Sequence, residues 1–221
     1  MDQPIPLSQK LYLLGIHPEK GGLISSTYRV ISFVLTGALF LELFQNGNIR
    51  FEEKKIVFLN DKTSNPVHRF LLEKIQQKPR PLKLATWINK FQFSQKYFRK
   101  ETQQGLVNSR LIKMEPHQFL FFKWEKSQII HHQIVYRLLS EIQNQIFRGT
   151  ENEEEIMLLS MIKPAGLLKR IFPEREKRKM AAENLKKMMI DNQVSEAVSA
   201  AIAAAQAVAA TVAITAVTTH R

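Results

Sequence analysis

The chain has 221 residues, and its 32 lysines and arginines outnumber 20 acidic residues to give a formal net charge of +12. Such an excess favours polyanionic partners, either nucleic acid or an anionic membrane surface, and charge alone does not choose between them. Hydrophobic residues make up 44% and charged residues 24%, the balance of a folded protein that can bury a core rather than of a disordered chain. The absence of cysteine excludes disulfides and thiolate metal sites and is compatible with a reducing cytosol.

The first half of the chain predicts helices and one small hairpin. The segment 30–44 carries no charge before Glu42 and stops at Asn46-Gly47, which predicts a helix buried on nearly all sides. The charged residues within "IRFEEKKIVFLN" predict the turn of a hairpin at about 49–59. Three further helices are expected at 66–78, starting from Asn65-Pro66, at 81–91 and at about 94–109.

The second half begins with the stretch "LVNSRLIKMEPHQFLFFKWEK" (106–126). Glu115-Pro116-His117-Gln118 looks like a turn, so we predict a hairpin over about 110–124. Isoleucines at helical spacing predict a helix over 127–147. Further helices are expected at about 152–163, 165–171 and 174–191.

The segment 197–219 contains no charged residue. Alanine is only weakly apolar, however, and serine, glutamine and threonine dilute the segment further, so we predict a buried core helix rather than a membrane span. The Met1 start lacks the pattern of a signal peptide, since Asp2, Pro4 and Pro6 interrupt it. The expected fold is mainly α: a single globular domain over 1–221, in which a central helical bundle carries the small β-hairpins at about 49–59 and 110–124.

The sequence offers little support for catalysis. No phosphate-cradling glycine-rich loop is present, and the adjacent His131 and His132 would point about 100° apart on a helix. The acidic run "ENEEEI" (151–156) suits a helix start, where negative charge complements the helix dipole. We therefore expect no enzymatic activity, no cofactor and no metal ion.

The predicted hairpin allows three interpretations. Helices followed by a hairpin match the order of a winged-helix nucleic-acid-binding protein, with Lys96, Arg99 and Lys100 on the recognition helix. Alternation would let Leu120, Phe122 and Trp124 pack inward and leave Phe119 and Phe121 for lipid or a partner chain, which a DNA backbone would not cover. The hairpin could thus belong to a peripheral membrane protein or to an oligomeric scaffold. A second basic run, "KRIFPEREKRKM" (169–180), either extends a membrane footprint or forms a solvated helix face.

Ordered blocks of the sequence resemble the Golgi phosphoprotein 3 family. The opening is similar in "LYLLGIHPEKGGL" (11–23) and "LTGALFLELFQNGNI" (35–49). The central and C-terminal blocks are similar in "RPLKLATWINKF" (80–91), "YFRKETQQGLVNSRLIK" (97–113), "HQFLFFKW" (117–124) and "EEEIMLLSMIKPAGLLKRIF" (153–172). The chain looks like a compact, bacterial-type member.

The resemblance implies a mostly helical domain that binds phosphatidylinositol 4-phosphate in membranes. Golgi members also act as adaptors that grip the cytosolic tails of glycosyltransferases. Their phosphate pocket uses two basic residues three apart, which fall on Lys96 and Arg99, with a tryptophan and an arginine from the early helical region. The tryptophan falls near Thr27 or Tyr28 and the arginine falls on Thr36, so the chain departs from the family at both positions.

We therefore expect a cytoplasmic, peripherally membrane-associated protein that binds phosphatidylinositol 4-phosphate or another anionic phospholipid. The expected headgroup-binding residues are Lys96, Arg99, Lys100, Arg29 and Thr36. The expected membrane or oligomer contacts are Phe119, Phe121 and Trp124. Further expected partners are cytosolic tails of membrane enzymes and other copies of the chain, and nucleic acid is not expected.

Overall fold

Helix α3 (Ile31–Gln45) lies at the centre of the computed structural model, which describes residues 4–191 and 196–218. Every side chain of this helix from 34 to 43 is buried, as predicted for a segment with so little charge. Helices α1 (Leu7–Gly15) and α6 (Gln95–Asn108) pack against α3, and so do α8 (Glu153–Ile162) and α11 (Glu196–Thr218) of the C-terminal half. A short helix that the sequence did not predict, α2 (Ser25–Tyr28), lies between α1 and α3.

Helix α11 (Glu196–Thr218) also packs against α3, through small side chains. Its buried residues include Ala200, Ala204, Ala207, Val208 and Thr211. The predicted helix is confirmed over 197–218, and these five residues form its buried face, whereas Ser199, Gln206, Ala209 and Ala210 are exposed. Residue 219 lies outside the described part of the chain. Among the described helices, none combines the length and the apolar character needed to cross a membrane.

The first predicted hairpin is confirmed and gains a third strand. Strands β1 (Ile49–Glu52) and β2 (Lys55–Phe58) pair antiparallel around Glu53 and Lys54, which both have positive φ. Strand β3 (Leu82–Lys83) pairs with β2. The helix predicted from 81 therefore begins later, as α5 (Leu84–Lys90), because the backbone of Leu82 and Lys83 is extended and completes the sheet.

Helix α4 (Pro66–Gln76) begins where the sequence predicts. The Asn65 side-chain oxygen accepts hydrogen bonds from the backbone N–H groups of Val67 and His68, which satisfies two donors that the first helical turn leaves free. A 3-10 turn, Phe91–Ser94, joins α5 to α6, so the helix predicted at 94–109 is confirmed within one residue at each end.

The second hairpin is longer than predicted, and its turn lies elsewhere. Strands β4 (Ile112–Phe119) and β5 (Phe122–Ile129) pair from Ile112 with Ile129 up to Phe119 with Phe122. The predicted turn at 115–118 is therefore wrong: Pro116 pairs with Glu125 inside the ribbon. A two-stranded ribbon tolerates proline because each strand has a free edge.

The C-terminal half is helical apart from β5. Residues 127–129, predicted as helix, belong to that strand. Residues 165–167, also predicted as helix, lie in a turn that contains Gly166 with φ of 68°, and the helix begins only at Leu168. The helices are α7 (His132–Arg148), α8 (Glu153–Ile162), α9 (Leu168–Ile171) and α10 (Arg175–Asp191). One cluster of buried apolar side chains runs from α1 to α11, which confirms a mainly α fold with two small antiparallel sheets.

Candidate functional site

The N-terminal half of α6 carries the basic residues predicted to bind an anion. Lys96 and Lys100 are exposed and Arg99 is half-buried. Phe98, Thr102 and Leu106, spaced four residues apart, bury the opposite face of the helix. The sequence therefore holds α6 by one face and turns its basic residues outward.

In the described part of the chain, no acidic side chain forms an ion pair with these cations. Among the described residues, the ion pairs join Arg50 with Glu52, Lys55 with Glu53, Lys113 with Glu115 and Lys177 with Glu174, and the His68 ring lies against Glu42. Lys96, Arg99 and Lys100 have no such partner in that part of the chain. Unpaired positive charges on one helix create a local potential that attracts anions.

Helix α1 runs antiparallel to α6 and meets it in a polar network. Gln9 lies against Gly105, and Gln103 Nε2, one turn after Arg99, donates to the Tyr12 phenol oxygen over 2.6 Å. Burial raises the pKa of the Tyr12 phenol above its ordinary value of 10.0, and hydrogen bonds from Ser127 and Gln103 and the charge of Arg99 partly oppose this rise. Arg99 is thus close enough to the C-terminal half of α1 to act on Tyr12.

The same network fixes the base of the β4–β5 hairpin. The Ser127 hydroxyl lies 3.0 Å from the Tyr12 oxygen and 3.1 Å from Gln103 Nε2. The loop after α1 adds a backbone bond, from Gly22 N–H to the Ser127 carbonyl, of 2.8 Å. Gly21, with φ of 62°, packs so closely against Gln128 that a Cβ atom would collide with it. The hairpin is therefore anchored to α1 and α6 at its base.

Two lysines beside this anchor were not predicted as site residues. Lys20 is exposed in the loop before Gly21, and the Lys126 side chain runs beside Gly22. Neither forms an ion pair within the described residues. The adjacent Gly21 and Gly22 are the sequence signal that could have pointed to these lysines, because two consecutive positive-φ positions mark a loop that can approach another backbone closely.

The position of α2 determines where Thr27 and Arg29 lie. Thr27 is fully buried and donates to the Ala165 carbonyl over 2.9 Å, and its methyl group packs at Gly15, the last residue of α1. Arg29 is exposed just after α2 and so lies towards the same end of α1 as Arg99. No described hydrogen bond joins Arg29 to α6. Tyr28, 63% exposed, presents an accessible aromatic ring beside Arg29 in the sequence.

Thr36 does not belong to the site. It has no exposed surface, and its hydroxyl donates to the Ser32 carbonyl one turn earlier in α3 over 2.9 Å. A buried hydroxyl with an intrahelical acceptor cannot contact a bound headgroup. The expectation for Thr36 is therefore corrected: its side chain lies in the core and not at a headgroup site.

The far end of the hairpin presents an apolar tip to solvent. Phe121 is 95% exposed, and the expected inward packing of Leu120, Phe122 and Trp124 is wrong, since all three are exposed. Within the described residues the two strands form a separate two-stranded sheet, and the exposure of side chains on both faces shows that the core does not cover the ribbon near its tip. The exposed apolar residues of the tip are Phe119, Leu120, Phe121 and Phe122, and Trp124 stacks on His117 with ring centroids 5.9 Å apart.

The described residues contain no group of three or more histidine, aspartate or glutamate side chains that could hold a metal ion. The arrangement is instead a set of unpaired cations near the base of an anchored ribbon with an exposed aromatic tip. Such an arrangement places positive charge close to an exposed apolar surface.

Comparison with known protein families gives a match over most of the chain. The sequence model of the Golgi phosphoprotein 3 (GPP34) family aligns with residues 7–205, a range that includes α1, the central α3, the basic α6 and the whole hairpin. No curated protein matches the chain. With most of its length covered by the family model, the chain belongs to the Golgi phosphoprotein 3 family.

Proposed function

We propose that this protein is a peripheral membrane protein that binds anionic phospholipid, with phosphatidylinositol 4-phosphate as the preferred headgroup. The observation that carries the proposal is the set of unpaired cations Lys96, Arg99 and Lys100 on one helix. Membership of the Golgi phosphoprotein 3 family supports it. That family is not an enzyme family, and we propose a binding rather than a catalytic role.

Electrostatic attraction of basic residues and burial of aromatic side chains, each weak alone, together give reversible attachment to a membrane. Each basic residue near an anionic leaflet contributes about 1 kcal/mol. An aromatic ring leaving water for the acyl boundary adds roughly 1.5–3 kcal/mol. Phe119, Phe121 and Trp124 of the exposed tip are the proposed apolar contacts, and Lys96, Arg99 and Lys100, with Arg29 in support, are the proposed headgroup contacts.

The specific part of the headgroup site centres on Arg99. A guanidinium can hold a phosphate through two parallel hydrogen bonds, whereas lysines attract it as point charges. The half-buried position of Arg99, near Tyr12, limits the directions in which its guanidinium can point. Lys20 and Lys126 at the hairpin base add charge near the same helices. We also propose that the attached protein can hold cytosolic tails of membrane enzymes or further copies of itself.

The test is co-sedimentation with vesicles of phosphatidylcholine alone or with added phosphatidylinositol 4-phosphate or phosphatidylserine. Reversing two charges, Lys96→Glu with Arg99→Glu, should weaken binding to anionic vesicles about 30-fold or more. The matched control is Lys62→Glu with Lys78→Glu, two exposed lysines outside α6 that lower the net charge equally. A preference for phosphatidylinositol 4-phosphate over phosphatidylserine would support a specific headgroup site.

Failure has two informative forms. Equal losses in both double variants would mean that net charge alone drives binding and that α6 holds no site. No binding of the unaltered protein to any vesicle, together with DNA binding that falls steeply with salt, would favour the winged-helix interpretation.

A further inference from the structure

A second exposed aromatic residue lies at the start of the basic helix. Phe93, in the 3-10 turn that joins α5 to α6, is 90% exposed. Within the described residues no aromatic ring packs against it, although its neighbours Phe91 and Phe98 are buried in an aromatic cluster. A single exposed phenylalanine is common on protein surfaces, so the surroundings decide what this one means.

Those surroundings are basic. Lys90 lies three residues before Phe93, Lys96 three residues after it and Lys100 one helical turn later, and all three side chains are exposed. None of the three forms an ion pair within the described residues. The acidic neighbour is Glu101, half-buried next to Tyr97 on α6. An apolar ring therefore stands among excess positive charges.

The backbone that carries Phe93 is held firmly in the core. The Phe91 ring stacks on Trp87 with centroids 5.5 Å apart and meets Phe98 edge-on at 5.6 Å. These contacts fix the turn on both sides of Phe93. The backbone of Phe93 is thus held in place relative to α6, and little backbone freedom remains to be lost on binding.

We infer that Phe93 is a membrane-insertion residue whose ring enters the interfacial layer of an anionic leaflet while Lys90, Lys96 and Lys100 contact the headgroups. A membrane surface is the partner that charge complementarity favours, since an exposed aromatic residue with lysines on either side of it in the sequence suits a surface that is anionic outside and apolar inside. The inference rests on the proposed function and adds a second contact to it. Phe93 and the hairpin tip would then orient the protein at the membrane from two separate elements.

The experiment uses the absence of cysteine from the chain. Phe93→Cys in the full-length protein gives one labelling position for an environment-sensitive dye, and Tyr136→Cys, at another exposed aromatic on α7, gives the matched control. Both are mixed with phosphatidylcholine vesicles, with and without about one-fifth phosphatidylserine. We expect the dye at position 93 to shift to the blue and to be quenched by lipids brominated on their acyl chains, in anionic vesicles alone, with no change at position 136.

An unlabelled variant removes the influence of the dye. Phe93→Ser should weaken partitioning into anionic vesicles about tenfold, while Tyr136→Ser should leave it unchanged. Normal vesicle binding by Phe93→Ser, with an unshifted dye at position 93, would overturn the inference and leave the proposed function standing. Loss of self-association without loss of vesicle binding would overturn it in favour of a contact between copies. If the unaltered protein binds no anionic vesicle, both the inference and the proposed function fall.

Discussion

The phenol oxygen of Tyr12 lies 3.0 Å from the hydroxyl of Ser127, 115 positions later in the chain. Gln103 Nε2 donates to both oxygens, so one small polar network joins α1, α6 and β5. Helix α6 carries Lys96 and Arg99 of the proposed headgroup site and β5 carries Lys126, whereas α1 supports both elements through Tyr12. Because Gln103 is one turn from Arg99, the network couples the position of the basic helix to the base of the hairpin.

We predict that Tyr12→Phe lowers the free energy of unfolding by about 1–2 kcal/mol. The substitution keeps the buried ring and removes only the oxygen, which leaves Gln103 and Ser127 with fewer partners. Urea denaturation at neutral pH measures the loss. Tyr136→Phe, which removes the same oxygen from an exposed ring, is the control and should change little. Equal stability of Tyr12→Phe and the unaltered protein would show that the network contributes nothing.

The same phenol predicts a loss of stability at high pH. Burial raises the pKa of Tyr12 in the folded protein above 10.0, whereas in the unfolded chain the phenol ionises at its ordinary pKa. The stability that neutral Tyr12 contributes is therefore complete below about pH 10 and falls as pH rises through the folded pKa. The stability difference between the unaltered protein and Tyr12→Phe should therefore narrow as the pH rises above about 10.

Urea midpoints of the two proteins, measured below and above that pH, provide the test. Tyr97, whose pKa is also raised by burial and by Glu101, is present in both proteins, so its contribution cancels from the difference. A difference that stays constant with pH would contradict the proposed burial of a neutral phenol.

Much of the fold could be predicted because local signals agree with the tertiary structure. The uncharged run of α3 has to be buried, and Asn65-Pro66 starts α4 with a side-chain cap. The hairpin turn could not be predicted in the same way. Leu120, with φ of 53°, occupies a conformation that usually selects glycine or asparagine, while Glu115-Pro116 imitates a turn inside a strand.

The candidate site was predicted in part for a similar reason. Lys96 and Arg99 are neighbours on one helix, so their spacing can be read along the chain. The exposure of Phe93 and the position of Lys126 beside Gly22 result from tertiary packing, so residue spacing along the chain could not predict them. Thr36 failed as a site residue because a helix buried on every side hides even its polar positions.

Packing of α11 against α3 depends on Gly37. An added Cβ atom there would lie 2.9 Å from Val208 Cγ2 and 3.1 Å from Met161 Cε. We predict that Gly37→Leu lowers the free energy of unfolding by about 3 kcal/mol, because the larger side chain forces the two helices apart. Gly37→Ala should cost less, since its better helix propensity offsets part of the clash. Thermal or urea unfolding ranks the three proteins, and a stable Gly37→Leu variant would contradict the observed packing.

The buried pair Glu42 and His68 supports the N-terminal end of α1. Glu42 Oε1 accepts the backbone N–H of Ser8 over 2.7 Å, and Oε2 lies 2.8 Å from His68 Nε2. Both side chains are nearly inaccessible and line a cavity of about 280 Å³ that Lys10 also borders. The carboxylate satisfies a donor in the first turn of α1, where negative charge is favoured by the helix dipole.

We predict that Glu42→Ala lowers the free energy of unfolding by about 3 kcal/mol, since it leaves the Ser8 N–H and the His68 ring buried without their acceptor. Glu42→Gln should cost less, because its carbonyl oxygen can still accept from Ser8. Glu154→Gln, at the exposed rim of the same cavity, should be close to neutral. Urea denaturation of Glu42→Ala, His68→Ala and the double variant gives the coupling between the two residues. A coupling free energy near zero would mean that their contact does not stabilise the fold, whereas about 1 kcal/mol or more would place this pair among its supports.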